Sequence, residues 1–348
     1  MRLGIIGLPV SGKTALFRLL TGASLPSAGT APAGRPATLT GVAPLADARL
    51  AALSTLYHPR KTTPAQITFG DVSGMGEDGS ISGQWANELA HWDGLLVVLR
   101  AFETSLASES ADPGRDLSRI EAELLLNDLL RVEARLEQLP EERQKGARPR
   151  AELEREGALF RRLAETLRAN RPLRDLPLSP GERETLSAHN LLTLKPLLPV
   201  HNLEEGTTPG ALSTELHSVA VQGKLELELA QLPEAEAREF RAEFGVQDSG
   251  LTRLLQACLD LLGRVIFFTV SEPEVKAWPL ASGGTALEAA GTIHSDMARG
   301  FIRVEVIGWD QLVGLGGLAQ ARAAGKLRLE GKDYSVADGE VIYVRFNV

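Results

Sequence analysis

Residues 7–14 read Gly7-Leu8-Pro9-Val10-Ser11-Gly12-Lys13-Thr14, the pattern G-x-x-x-x-G-K-[ST]. In a loop of this composition the glycines let the backbone turn tightly, so that its N–H groups point inward at phosphate oxygens. Lys13 is expected to reach the β- and γ-phosphates and the Thr14 hydroxyl to bind Mg²⁺, with Leu8, Pro9, Val10, Ser11 and Ala15 completing the phosphate-contacting set. The flanks agree. Leu3–Ile6 is a short apolar run suited to a buried strand, and Thr14–Leu20 has a helical apolar period whose N-terminus faces the phosphates. Strand, loop and helix together imply an α/β P-loop domain and a nucleoside polyphosphate ligand.

Further along, residues 22–36 are rich in Gly, Ala, Pro and Ser without periodicity, in the place where P-loop switch proteins keep switch I. A short helix is expected over Asp47–Leu56 and a strand over Gln66–Phe69. That strand runs into Asp71-Val72-Ser73-Gly74, a D-x-x-G sequence. By itself D-x-x-G is common in loops. At a strand end about sixty residues after a phosphate loop, it assigns Asp71 to the Mg²⁺ shell through water and the Gly74 N–H to the γ-phosphate. Ras-like proteins orient the attacking water with Gln directly after this motif, whereas here Met75 stands there. A thioether cannot orient water as an amide does, so slow hydrolysis is expected. Leu95–Leu99 reads as a further buried strand.

From Gly114 to about Leu173 the pattern is helical: Leu117, Ile120 and Leu124, then Leu129, Val132, Leu136 and Leu139, and in a second run Phe160, Leu163 and Leu167. Between the runs lies Pro-Glu-Glu-Arg-Gln-Lys-Gly-Ala-Arg-Pro-Arg, residues 140–150, read as a polar turn. The expectation is an antiparallel helical hairpin, a short coiled coil inserted into the nucleotide domain. Residues 141–175 are mildly basic, which fits a solvated helix face or a nucleic-acid contact. Strand character returns at Leu197–Val200, immediately before Asn202-Leu203-Glu204-Glu205, and Leu251–Leu262 is helical. In the last eighty or so residues, strands are expected at Val265–Val270, Val275–Trp278, Ile302–Ile307 and Val341–Phe346. A helix at Leu287–His294 separates them, giving a compact α+β module.

Bulk properties narrow the class. The 348 residues allow about two or three domains. A formal charge of −8 argues against a surface wholly devoted to nucleic acid, so no DNA partner is expected and any RNA contact must be local. A single cysteine, Cys258, rules out an internal disulfide and fits a reducing compartment; a cytoplasmic protein is expected. No run approaches the ~18 apolar residues of a membrane span, and the apolar start is interrupted at once by the phosphate loop. The six histidines show no metal-ligand spacing, which leaves Mg²⁺ with its nucleotide as the expected cofactor.

With these residues in view, the chain resembles the YchF-type Obg-like ATPases, relatives of the translation-factor GTPases. The likeness rests on the phosphate loop, the D-x-x-G at Asp71, Leu192-Thr193-Leu194-Lys195-Pro196 and Asn202-Leu203-Glu204-Glu205. It is strongest in the C-terminal stretches AAGTIHSDMARGFIRVEV, AGKLRLEGKDY and VRFNV. The resemblance implies a P-loop domain over residues 1–113 and 191–264, a helical insertion over 114–190 and a TGS-like β-grasp domain over 265–348. It further implies ribosome or RNA contact through that domain and the hairpin, with no membrane partner. GTPases usually carry N-K-x-D where this chain has Asn202-Leu203-Glu204-Glu205, so Lys becomes Leu and Asp becomes the longer Glu. A misplaced guanine-reading fork leaves polar groups unpaired at about 1–3 kcal/mol each, and ATP is expected to bind ahead of GTP. Asn202 would hold the base edge, with the main chain near Leu203 serving adenine.

The departures matter too. Val10 stands at the fourth loop position, where the resembled family has Asn and related enzymes seat a monovalent cation. Valine has no ligating atom. Switch I keeps only Thr40-Gly41-Val42 of the family pattern, so Thr40, with Thr38 as an alternative, is the candidate for its Mg²⁺-binding threonine. The expected activity is slow ATP hydrolysis by a ribosome-associated switch, with a nucleotide sensor of little or no hydrolysis as the alternative.

Overall fold

The computed structural model describes residues 1–23, 38–72, 75, 80–81, 83–146, 148–207, 217–230, 232–233, 236 and 250–347. Gly74 and most of the proposed switch I lie outside the described residues. The first seven strands are β1 (Arg2–Ile6), β2 (Leu39–Pro44), β3 (Lys61–Thr63), β4 (Gln66–Asp71), β5 (Gly94–Ala101), β6 (Leu197–Leu203) and β7 (Val219–Val221). The helices among and after them are α1 (Lys13–Thr21), α2 (Ala48–Tyr57), α3 (Gly83–Ala90), α4 (Pro113–Lys145), α5 (Arg150–Arg168), α6 (Pro180–Leu186) and α7 (Gly223–Leu229). The chain divides into two units: Arg2–Gly41 with Thr68–Leu254, and Val42–Ile67 with Leu255–Val348.

In the first unit a six-stranded sheet runs in the order β2-β4-β1-β5-β6-β7. The pairs β1–β4, β1–β5, β5–β6 and β6–β7 are all parallel. Parallel strands covered on both faces need apolar residues at every position, and β5 supplies them as Gly-Leu-Leu-Val-Val-Leu followed by Arg100 and Ala101. One seam is unusual. Gly4 of β1 and Gly70 of β4 are register partners, and both lie against the indole of the buried Trp92. Two glycines side by side make a flat strip on which the ring sits, and Asp71 follows directly at the strand end.

The insertion is a hairpin of the 33-residue α4 and the 19-residue α5. Asp112 caps α4 by accepting the Arg115 N–H, Pro113 occupies the first turn, and Gly146 at φ 65° ends it. Val132, Phe160, Leu163, Leu167 and Leu173 form its buried core. The polar turn expected over residues 140–150 is shorter than that: α4 continues through Pro140 to Lys145. Proline forfeits one backbone donor, but its neighbours bridge the gap. Arg135 pairs with Glu142 beyond the proline and with Glu156 on α5, and Arg148 pairs with Glu152 and Glu156. The mildly basic character of this region is largely balanced internally, with Arg150–Glu154, Arg162–Glu182, Arg168–Glu133 and Arg174–Glu121 also paired. Asp128 of α4 accepts the N–H groups of Leu192 and Thr193 and the Thr193 hydroxyl, tying the hairpin to the chain entering β6.

The second unit holds β8 (Arg264–Val270), β9 (Glu274–Ala281), β10 (Phe301–Gly308), β11 (Arg328–Glu330) and β12 (Glu340–Phe346). Its sheet runs β11-β10-β12-β8-β9-β3, with β8 and β12 the parallel pair near its centre. The helix Ala286–Ile293 starts in a Thr285–Glu288 capping box and buries Ala286, Ala289 and Ala290 against Phe267, Val304 and Ile342. A helix laid across such a mixed sheet is the β-grasp arrangement expected for this end. Residues 42–67, read from sequence as part of the nucleotide domain, group with this unit instead. The reasons are specific: β3 pairs in parallel with β9, Arg49 bridges Asp47 and Asp338, and the Tyr57 hydroxyl accepts the Leu318 N–H at 3.0 Å. Among the described residues no helix is long and apolar enough to cross a membrane.

Candidate nucleotide site

The site is built at the C-terminal end of β1, where an open parallel sheet leaves a crevice for ligands. Gly7 is buried beneath the loop. A Cβ there would sit 2.6 Å from the Val98 carbonyl oxygen and 2.7 Å from Ser11 Oγ, so no larger residue fits. Gly12 caps α1 at φ 90° and provides no side-chain hydrogen bond to the helix. The first-turn N–H groups of α1 therefore face outward without a side-chain acceptor, the condition under which a helix N-terminus takes an anion. Leu8 is buried, whereas Pro9 and Val10 stand exposed at the rim and Ala15 is half-buried in the first turn.

The two Mg²⁺ candidates meet. The Thr14 hydroxyl donates to Asp71 Oδ2 at 2.7 Å, although the residues are 57 apart in sequence. The other carboxylate oxygen, Asp71 Oδ1, is buried without a hydrogen-bond partner, as is Ser11 Oγ. Buried acceptors of this kind cost stability unless something satisfies them. A hydroxyl, a carboxylate with a spare lone pair and a cation at one loop mouth fit hydrated Mg²⁺ and a polyphosphate. Lys13 has only a long contact to the Leu8 carbonyl, at 3.4 Å. Burial holds its ammonium below the usual lysine range, opposed by the Asp71 charge, and a polyphosphate beside it would favour the charged form further.

Other expectations need correcting. Thr40 is exposed on β2, and a Cβ on its neighbour Gly41 would meet Thr21, the last residue of α1. At 1.5 Å per residue, seven helical residues put that end about 10 Å from Thr14, so Thr40 is not beside the other metal candidates. Thr38, the alternative, has a buried hydroxyl without a hydrogen-bond partner. Met75 is buried in the apolar cluster with Leu8, Val72 and Trp85, pointing into the core rather than into the site.

Asn202 is also tied into the protein itself. Its amide nitrogen donates to the Ser11 carbonyl at 3.1 Å, and its oxygen accepts the Gly223 N–H at 3.1 Å. It therefore clamps the phosphate loop to the start of α7. Leu203 ends β6 buried, and Glu204 and Glu205 are exposed in the turn that follows. The sequence reading passed over Gly223. A Cβ there would lie 2.8 Å from Asn202 Oδ1, and the available signal was the Val-Ala-Val run ending in Gln222-Gly223 about twenty residues after Asn202.

Val10 has φ 63°. A β-branched residue in the left-handed region is strained, whereas Asn and Gly occupy it readily. The valine thus stands at a position whose backbone suits asparagine or glycine.

A P-loop with its metal candidates in contact, a helical hairpin between β5 and β6 and a C-terminal β-grasp unit make a distinctive combination, and comparison with known proteins agrees with it. "Ribosome-binding ATPase YchF" of Bacillus subtilis is 35% identical over 366 residues, covering 99% of both chains. The protein of that name from Escherichia coli O157:H7 is 32% identical over 363 residues, again covering 99% of both. This chain belongs to the YchF family. The YchF-GTPase C-terminal family model, described as "Protein of unknown function (DUF933)", matches residues 265–347. The solved structure of the Schizosaccharomyces pombe YchF GTPase superposes with a TM-score of 0.83 at 25% identity, covering 99% of this chain and 97% of that one.

Proposed function

We propose that this protein binds ATP with Mg²⁺, and GTP less well, hydrolyses it slowly, and couples the nucleotide state to contact with the ribosome. The observation that carries the reading is the Thr14–Asp71 hydrogen bond at the mouth of the phosphate loop, with Asp71 Oδ1 left without a partner. In this reading the loop N–H groups and Lys13 bind and orient the β- and γ-phosphates, and Thr14 and Asp71 hold the metal. Mg²⁺ supplies charge neutralisation to the phosphates when bound. Asn202 keeps the loop in register with Gly223, Leu203 walls the base pocket, and Glu205 at its rim weakens guanine recognition. Gly74 is assigned to the γ-phosphate on sequence grounds alone.

The ribosome enters through the relatives, whose names describe ribosome-binding ATPases. The nucleotide domain is taken as residues 2–41, 68–113 and 191–254, the hairpin as 114–190, and the TGS-like domain as 265–348 within the unit that also holds residues 42–67. The latter two are the proposed ribosome or RNA contacts, and the cytoplasm is the proposed compartment. A second reading, a nucleotide sensor that hardly hydrolyses, is favoured by Met75, which is turned into the core. Single-turnover hydrolysis of ATP with and without ribosomes separates the two. Slow cleavage accelerated by ribosomes supports the first, and binding without γ-phosphate release in either condition supports the second.

A further inference from the structure

Beside the exposed face of the phosphate loop lies a cavity of about 90 Å³, lined by Leu8, Pro9 and Val10 on one side and by Arg100, Arg115 and Arg119 on the other. That is several times the ~10–15 Å³ of such space one water needs, enough for a guanidinium to change its aim. Val10 is the loop residue without a ligating atom. The three cations beside it differ in how firmly they are held. Arg100 is buried and spent: it donates to the carbonyls of Phe102 and Glu109 and so pins the loop leading to α4. Arg115 and Arg119, on the first turns of α4, are partly exposed and share one carboxylate, Glu109, at 3.2 and 3.3 Å. Arg115 also donates to the Ser110 carbonyl at 2.8 Å and lies 3.7 Å from Asp116, and its Nε has no hydrogen-bond partner.

Two guanidiniums held by one exposed carboxylate are exchangeable, because such pairs are weak and re-form easily with another anion. Arg119 and Arg115 hold the Glu109 carboxyl below the ordinary range, so it stands there as an anion. Burial pushes the Asp116 carboxyl up, which weakens it as a competitor. Phosphoryl transfer spreads negative charge over the γ-phosphate oxygens and responds strongly to a guanidinium supplied there.

We propose that Arg119, supported by Arg115 and released from Glu109, is this chain's own source of positive charge beside Val10, in place of a cation seated by the loop side chain. The inference rests on the nucleotide reading above, and it makes turnover indifferent to potassium.

The test uses the full chain and two readouts. Calorimetric titration with ADP, and with ADP plus aluminium fluoride and Mg²⁺, is run in potassium and in sodium buffer for the wild type, Arg119→Ala and the Arg115→Ala/Arg119→Ala double variant. Single-turnover ATP hydrolysis is followed in parallel, and melting curves confirm folding. The wild type is expected to bind the fluoride complex equally in both salts. The variants are expected to keep ADP affinity within twofold while losing at least tenfold for the fluoride complex and about a hundredfold or more in hydrolysis. Variants that retain fluoride-complex affinity within twofold, or a wild type needing potassium for a tenfold gain, would overturn the proposal while leaving nucleotide binding intact. A wild type that binds no nucleotide overturns the nucleotide reading, and this inference with it.

Discussion

Gly70→Ala, set against Gly4→Ala, probes the seam that positions Asp71. Both glycines lie under the Trp92 ring and are register partners, so burial and strand environment are matched. A Cβ on Gly4 would lie 3.1 and 3.2 Å from ring atoms, an encounter that a few tenths of an ångström of movement relieves. A Cβ on Gly70 would fall well under 3.0 Å from the ring atoms Cζ2 and Cη2. Trp92 is 2% exposed and packed among Ile6, Val72 and Trp85, so the ring has no space to withdraw. Overpacking of this kind costs about 1–3 kcal/mol and occasionally more, whereas replacing glycine by alanine in a strand regains roughly 0.5–1 kcal/mol. Gly4→Ala should therefore be close to neutral, and Gly70→Ala should cost about 2 kcal/mol net. For a unit of this size that is roughly 4–8 °C of melting temperature at 2–4 °C per kcal/mol. Differential scanning calorimetry of both variants reads this directly, with the transitions of the two units treated separately. A Trp92→Leu background removes the ring, and a double-mutant cycle should recover at least about 1 kcal/mol of the Gly70→Ala cost. Because Asp71 follows Gly70, nucleotide affinity should fall in the same variant. If Gly70→Ala melts no lower than Gly4→Ala, the packing argument for the seam fails.

Three further outcomes follow from the same reasoning. Val10→Asn should raise stability by about 1 kcal/mol, because asparagine tolerates the left-handed backbone that valine resists; a lower denaturation midpoint would refute the strain. Asn202→Ala leaves the Ser11 carbonyl and the Gly223 N–H without their partner, which costs about 2–5 kcal/mol. It should weaken ATP binding while the sheet stays folded, and unchanged affinity by calorimetry would deny the clamp. Burial alone would raise the Glu156 carboxyl, but hydrogen bonds from Arg135 and Arg148 outweigh it and hold it below the ordinary range. The stability it contributes is present above its unfolded pKa of about 4.5 and is lost as pH falls through the lower folded value. Glu156→Gln should therefore cost about 1–3 kcal/mol at neutral pH and flatten the acid limb of the stability curve; an unchanged acid limb would contradict the pairing.

How much of this was legible in the sequence depends on how local each feature is. The phosphate loop, its strand and its helix are set by some twenty consecutive residues and are found where the sequence placed them, as are the helices expected over Asp47–Leu56 and Leu287–His294. The hairpin was visible in its apolar period, but its turn was misjudged at Pro140. The ion pairs that carry the helix past the proline link Arg135 to residues seven and twenty-one positions away. The attachment of residues 42–67 to the second unit was hidden for the same reason: β3 finds β9 more than two hundred residues later. In the site, motif logic assigned Thr14 and Asp71 to one metal, while the direct hydrogen bond between them, across 57 residues, was not legible in the sequence. Asn202 was picked out by its motif, but its contacts with the Ser11 carbonyl and the Gly223 N–H were not, because neither partner is visible in a side-chain motif. Trp92 over the glycine seam and the arginines beside Val10 are matters of packing between distant segments, beyond the reach of any local pattern.

The central claim is that this loop, with Thr14, Asp71 and the Asn202–Glu205 segment, binds ATP in preference to GTP with Mg²⁺. Calorimetric titration of the protein with non-hydrolysable ATP and GTP analogues, with Mg²⁺ and with chelator, tests it most directly. The expected result is tighter binding of the ATP analogue and a marked loss of affinity for both without the metal. Tighter binding of the GTP analogue, binding that ignores Mg²⁺, or no binding of either would contradict it.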